Sequence, residues 1–73
     1  MERQVVSSST VQSIGYDAER AILEVEFCAG NIYRYYDVPL AIYEAFMMAS
    51  SKGRYFNYFV KDLYEYERIL DVA

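Results

Sequence analysis

Alternating apolar and polar side chains in the first half of the chain predict three β-strands. The clearest alternation runs over residues 21–27, where every second residue is apolar while Glu24 and Glu26 fall on the opposite face. Residues 11–16 and 32–38 alternate less regularly, and a polar turn separates the first strand from the second. We therefore predict an antiparallel meander with one apolar face.

The loop between the second and third strands decides which side chains reach the core, because a slip of one residue exchanges the two faces. We predict a three-residue loop, Ala29-Gly30-Asn31, whose last residue takes the left-handed conformation. A two-residue loop would instead place Arg34 on the apolar face, where an unpaired charge costs several kcal/mol. The expected pairs are Phe27 with Tyr33, Glu26 with Arg34, and Val25 with Tyr35.

Two helices are predicted after the strands. Pro39 suits the first position of a helix that runs to about Ala49, and Ser51 suits the N-cap of a second helix that runs to about Leu63. Residues 64–70 alternate like a strand but also fit a final helical turn, and we favour an extended segment. The predicted fold class is α+β: a three-stranded antiparallel β-meander packed against two helices, with a short C-terminal extended segment against one edge.

The second predicted helix separates apolar from cationic residues. Its expected buried stripe consists of Tyr55, Phe56, Phe59, Val60 and Leu63. Residues 51–61 contain three cations and no acid, although the chain has a net charge of −4. The candidate nucleic-acid-binding residues are Lys52, Arg54, Asn57, Tyr58 and Lys61, with cations and helix-start N–H groups for phosphate and Tyr58 for a base. The alternative is a solubilising helix face whose cations balance nearby carboxylates.

Length and composition narrow the function classes. A chain of 73 residues has room for one domain, which we assign to residues 1–73. With a single cysteine and no histidine, no internal disulfide or ordinary zinc or haem site is expected, so we predict no metal and no cofactor. The absence of a signal peptide and of a long apolar run predicts a cytoplasmic protein without membrane contact.

Other residues offer weaker chemistry. A lone cysteine such as Cys28 is usually a small apolar residue, and Glu24 with Glu26 fits a solvated face better than an acid–base pair. No catalytic residue is therefore predicted. Tyr33 and Tyr35 fit either the core or a platform for stacking bases, and the register favours the core. Side chains suited to contact with another protein or with a second copy of the chain are Ile22, Ile32, Tyr36 and Met48.

Several segments taken together resemble the KTSC domain. They are Ser8-Ser9, Ile14-Gly15-Tyr16-Asp17, residues 23–27, Tyr33-Arg34-Tyr35, Val38-Pro39 with Tyr43, Ser51-Lys52-Gly53-Arg54-Tyr55-Phe56-Asn57, and residues 64–69. That family occurs at the C-terminus of some lysyl-tRNA synthetases and as free-standing bacterial and phage proteins, so the resemblance implies a small module for which RNA binding is suggested. Glu65 departs from the pattern, since proline is expected between the two tyrosines.

These observations predict a non-enzymatic binding module with RNA as its leading ligand. The alternative is an adaptor or a self-associating domain that forms a homodimer and binds no nucleic acid.

Overall fold

A computed structural model describes residues 1–70 as a five-stranded antiparallel sheet with two helices. The elements in chain order are β1 (Arg3–Val5), β2 (Val11–Asp17), β3 (Ile22–Phe27), β4 (Ile32–Tyr35), α1 (Leu40–Met48), α2 (Lys52–Phe59) and β5 (Tyr66–Leu70). The strands lie in the sheet in their sequence order. The α+β class is therefore confirmed.

The predicted three-stranded sheet is wrong, because a further strand lies on each side of the meander. On one side β1 pairs with β2, placing Arg3 opposite Gly15. On the other side β5 pairs with β4, placing Tyr66 opposite Tyr35. These pairings satisfy backbone donors and acceptors that the meander edges would otherwise expose. The segment expected to be extended after α2 is thus a strand of the sheet.

The predicted pairing of β3 with β4 is also wrong, by two residues. Val25 lies opposite Tyr33, and Glu24 lies opposite Arg34. The loop has three residues as predicted, but they are residues 28–30, closed by a 2.9 Å hydrogen bond from the Phe27 N–H to the Asn31 carbonyl. Gly30 rather than Asn31 takes the positive φ of 107°, which costs glycine no steric strain. A shift of two residues leaves every side chain on its predicted face.

The core lies between one face of the sheet and the two helices. It contains Val11, Ile14, Leu23, Val25, Tyr35, Val38, Phe46, Phe56 and Val60. Tyrosine hydroxyls join neighbouring segments. Tyr16 in β2 donates to the Val38 carbonyl before α1 at 2.6 Å, and Tyr55 in α2 donates to the Ile42 carbonyl in α1 at 3.0 Å. Burial raises the pKa of both tyrosines, so both hydroxyls stay protonated as donors at neutral pH.

Helix α2 begins as predicted but ends earlier than expected. The Ser51 hydroxyl accepts a 3.3 Å hydrogen bond from the Arg54 N–H, which confirms the N-cap. Helical residues stop at Phe59, and Asp62 takes a φ of 65° in the turn that follows. Phe59 and Leu63, which we expected to be buried, are 49% and 61% exposed.

The opposite face of the sheet carries a buried charge. The Glu24 side chain is only 3% exposed, and its carboxylate accepts hydrogen bonds from Arg34 Nε at 2.7 Å and from Arg3 Nη1. Glu24 was expected on a solvated face, and the structure corrects this. Arg3 reaches it by crossing Gly15, where an added Cβ would lie 2.6 Å from the Glu2 carbonyl oxygen.

No helix within residues 1–70 has the length and apolar character needed to cross a membrane.

Candidate functional site

A pocket of about 300 Å³ opens between the N-terminal loop, helix α2 and the edge of the sheet formed by β4 and β5. Its aromatic lining comes from Phe27, Tyr33, Tyr35, Phe56 and Tyr66, and its polar lining from Thr10, Asn31, Asn57, Lys61 and Asp62. We call this cavity the aromatic pocket. Its volume lies at the lower end of the ~300–1,000 Å³ that is usual for small-molecule sites, so it suits one small group.

The pocket has a fixed aromatic wall and one exposed ring. Tyr35 is buried in the core, and burial raises the pKa of its hydroxyl well above the usual range. Its ring centroid lies 5.6 Å from that of Phe56 and 6.3 Å from that of Tyr33. Tyr66 is 56% exposed, and its centroid lies 5.8 Å from those of Tyr33 and Tyr35. A planar ligand would therefore meet the exposed Tyr66 ring beside the buried Tyr35 ring.

Polar groups surround this wall. Asn57 and Lys61 come from α2 and the turn after it, and Asp62 follows directly. Within residues 1–70, the Asn57 amide and the Lys61 ammonium have no hydrogen-bond or ion-pair partner. On the sheet side, the Arg68 guanidinium carbon lies 5.8 Å from the centroid of the Tyr33 ring. Two cations and one carboxylate thus flank the aromatic rings.

The structure brings together most of the residues predicted for a nucleic-acid surface. Arg54, Asn57 and Tyr58 line a shallow groove of about 410 Å³ together with Thr10, Ser51 and Gly53. Asn57 also lines the aromatic pocket, so it joins the two concavities. Gly53 fits the start of the helix because Thr10 packs against it, with Thr10 Oγ1 only 3.0 Å from where a Cβ would lie.

Lys52 is placed differently from the other four candidates. Its ammonium donates a 2.5 Å hydrogen bond to the carbonyl of Ala49, just beyond the end of α1. A cation at this position satisfies a free carbonyl and stabilises the negative end of the helix dipole. Lys52 therefore has a structural contact, and it lines neither concavity.

Sequence reasoning missed several residues of the aromatic pocket. Tyr66 was assigned only to an extended tail, and Thr10 and Asp62 were not considered as contacts. Tyr33 was expected in the core, but it is half-buried and forms part of the pocket wall. The available signal was the tyrosine in the tail, which enters the pocket only because β5 pairs with β4. That pairing depends on contacts distant in sequence, which local patterns do not reveal.

The weaker candidates do not assemble into a second site. Among residues 1–70, no group of three or more histidine, cysteine, aspartate or glutamate side chains is placed to hold a metal ion. Cys28 is exposed in the β3–β4 loop. Ile22, Ile32 and Tyr36 are half-buried beside the Arg34–Glu24 ion pair, whereas Met48 is 86% exposed.

Comparison with known proteins identifies the family. The family model of the KTSC domain matches residues 7–66. The chain belongs to the KTSC domain family. A crystal structure of a KTSC domain protein from Yersinia pestis superposes with a TM-score of 0.92 at 40% identity, covering 94% of this chain and 97% of that one.

Two further relatives show the settings in which this KTSC domain sequence recurs. An uncharacterized protein of Stutzerimonas stutzeri is 47% identical over 70 residues, which is 94% of this chain and 99% of that protein. A lysine–tRNA ligase of Trichormus variabilis is 36% identical over 61 residues, which is 84% of this chain but only 11% of the ligase. The KTSC domain therefore occurs both as nearly a whole protein and as a small part of an enzyme.

Proposed function

We propose that this KTSC domain is a non-enzymatic module that binds single-stranded RNA through the exposed surface of α2 and of the turn that follows it. The proposed surface comprises Lys52, Arg54, Asn57, Tyr58 and Lys61, as predicted from the sequence. The observation that carries the proposal is a concentration of cations beside exposed aromatic rings in an otherwise acidic chain. Proteins that bind single strands combine these two features, since cations attract the phosphates and rings stack on bases.

The charge distribution supports this surface over the opposite face of the sheet. There, Arg3 and Arg34 are neutralised by Glu24, and the carboxylate of Glu26 lies 3.9 Å from Arg3 Nε. On the α2 side, Arg54, Lys61 and Lys52 have no carboxylate within ion-pair distance among residues 1–70. A phosphate backbone is therefore attracted to the α2 side.

The relatives support RNA as the ligand by association. The related segment in the Trichormus variabilis protein belongs to an enzyme whose name states that it acts on tRNA. An RNA-binding domain attached to such an enzyme would gain a second contact with the same RNA, because attachment raises its effective concentration.

A titration of fluorescently labelled RNA oligomers at low salt tests the proposal through anisotropy. We expect weak binding that Arg54→Glu and Lys61→Glu each reduce several-fold, with a salt dependence reflecting two or three neutralised phosphates. Lys52→Glu should weaken binding less than Arg54→Glu, because its ammonium already contacts Ala49. Glu19→Lys, which adds a cation in the β2–β3 turn, is the control for net charge and should not strengthen binding comparably. No binding at high protein concentration would remove the proposal.

Self-association is the second candidate function, and two observations favour it. Met48 is 86% exposed at the end of α1, and every residue of the edge strand β5 is exposed. Both features are suited to contact with a second copy of the chain, since edge strands present unpaired backbone groups. Sedimentation velocity distinguishes the candidates: a strict monomer at high concentration would exclude the homodimer and leave RNA binding untouched.

A further inference from the structure

We propose that the aromatic pocket holds one unstacked nucleobase and that its polar rim favours bases with an exocyclic amino group. This inference rests on the proposed function, since it names the part of the RNA that occupies the pocket. It also moves the main base contact from Tyr58, which the sequence suggested, to Tyr66 and Tyr33.

Several neighbouring rings in the pocket form a stacking surface, whereas Tyr58 offers a single ring. Tyr66, Tyr33 and Tyr35 lie within 6.3 Å of one another, measured between centroids, and Phe56 backs Tyr35 from the core. The exposed Tyr66 ring and the half-buried Tyr33 ring both line the cavity. A volume of about 300 Å³ has room for a single base.

The charges around the rings select among planar ligands. Lys61 at the rim and Arg68 beside Tyr33 place two cations next to the cavity. Aromatic pockets also bind cationic groups such as methylated lysine, but here two cations outnumber the single Asp62 carboxylate, so the surroundings of the cavity do not favour a cation. They attract instead the phosphates on either side of a bound base. A neutral ring attached to a phosphate chain is therefore the ligand that fits both the rings and their surroundings.

The polar side chains at the mouth supply hydrogen bonds for the edge of the base. The Asn57 amide offers both donors and acceptors, and the Asp62 carboxylate offers only acceptors. An exocyclic amino group, present in adenine, cytosine and guanine, donates to such acceptors. Uracil carries a carbonyl oxygen where cytosine carries its amino group, so an Asp62 carboxylate that faces this position favours cytosine over uracil, which has the same ring size.

The decisive test compares an adenosine oligomer with an abasic oligomer that has the same number of phosphates. The wild-type protein should bind the adenosine oligomer about fivefold to 150-fold more tightly, the range expected for stacking one base. Tyr66→Ala should bring this ratio close to one. Phe59→Ala is the matched control, because this ring at the end of α2 is 49% exposed but lines neither the aromatic pocket nor the neighbouring groove, and it should preserve the ratio.

Two further variants keep the test decisive if Tyr66→Ala fails to fold. Asn57→Ala changes an exposed helix position and should reduce the ratio while leaving the thermal unfolding curve nearly unchanged. Asp62→Gly removes the carboxylate while tolerating the positive φ at that position, and it should abolish the preference of a cytidine oligomer over a uridine oligomer.

The outcomes distinguish the assignment of a base to the aromatic pocket from the proposal that the domain binds RNA. If the wild-type protein binds no RNA, both are overturned. If it binds RNA but the ratio stays at the wild-type value in Tyr66→Ala and Asn57→Ala, the pocket assignment is overturned while RNA binding stands. Equal binding of adenosine and abasic oligomers by the wild-type protein would also overturn the pocket assignment while RNA binding stands.

Discussion

Replacing Glu24 with glutamine tests how strongly the buried charge on the outer face of the sheet stabilises the fold. The Glu24 carboxylate accepts hydrogen bonds from two arginines that lie on different strands, Arg3 in β1 and Arg34 in β4. Glutamine keeps the size of the side chain, but it has one acceptor oxygen instead of two and no charge. The substitution therefore turns one of the two contacts from an attraction into a clash of donors.

The expected cost follows from the burial of the partners. Hydrogen bonds to charged groups contribute about 1.5–3 kcal/mol each, and the Glu24 side chain is almost wholly buried. The arginine side chains are 28% and 38% exposed, so both regain water when the ion pair is lost. We expect Glu24→Gln to lower the free energy of unfolding by about 2 kcal/mol. For a domain of this size, that lowers the melting temperature by roughly 8–16 °C.

The loss of unfolding free energy in Glu24→Gln should depend on pH in a defined direction. Burial alone would raise the pKa of Glu24, but hydrogen bonds from Arg34 and Arg3 and their charges outweigh it, and the pKa lies below its ordinary value of 4.5. A carboxyl with a lowered pKa in the folded state contributes stability that is fully present above its unfolded pKa and is lost as pH falls through the folded value. The difference in unfolding free energy between the wild-type protein and Glu24→Gln should therefore narrow below about pH 4.5.

Urea unfolding followed by circular dichroism at several pH values measures both effects. Glu26→Gln is the control, because Glu26 is 29% exposed, accepts a 2.7 Å hydrogen bond from Ser13, and lies 3.9 Å from Arg3. That substitution should cost less than about 1 kcal/mol. A Glu24→Gln variant within about 0.5 kcal/mol of the wild type at pH 7, or a difference that widens in acid, would refute this account of the ion pair.

Three other substitutions test separate parts of the fold. Gly15→Ala should cost about 1–3 kcal/mol in thermal unfolding, because the new Cβ meets the Glu2 carbonyl oxygen at 2.6 Å and pushes β1 away. An unchanged melting temperature would show that β1 is not held against β2 as described. Ser51→Ala should lower stability by about 1 kcal/mol in urea, since the Arg54 N–H loses its cap, and Ser51→Asp should restore it. Met48→Glu should leave stability within about 0.5 kcal/mol, because this side chain is 86% exposed, and a larger loss would mean that Met48 is covered by a second copy.

Local patterns predicted the centre of the molecule well. The alternation in β3 identified the core face, and the cost of burying Arg34 selected a loop that keeps Tyr35 inside. The exact register was missed because glycine and asparagine both tolerate positive φ, and the structure uses Gly30. The register error of two residues left each side chain on its predicted face, because side chains alternate between the two faces of a strand with a period of two residues.

The outer strands and the aromatic pocket were harder to predict because they depend on pairing between distant segments. Residues of β1 show no convincing alternation, and its position follows from Arg3 crossing Gly15 to reach Glu24. Similarly, Tyr66 joins Tyr33 only when β5 has paired with β4. The cations of α2 were identified in sequence because helix periodicity is local, whereas the rings beside them come from several separate elements.

Mapping amide chemical-shift changes in ¹⁵N-labelled protein during a titration with a short adenosine oligomer tests the central claim most directly. The account predicts concentration-dependent shifts concentrated in residues 54–62 and at Tyr33 and Tyr66, with little change around Arg3, Gly15 and Arg34 on the opposite face. An oligomer that produces no shifts, or shifts confined to that opposite face, would contradict the assignment of the α2 side as the RNA-binding surface.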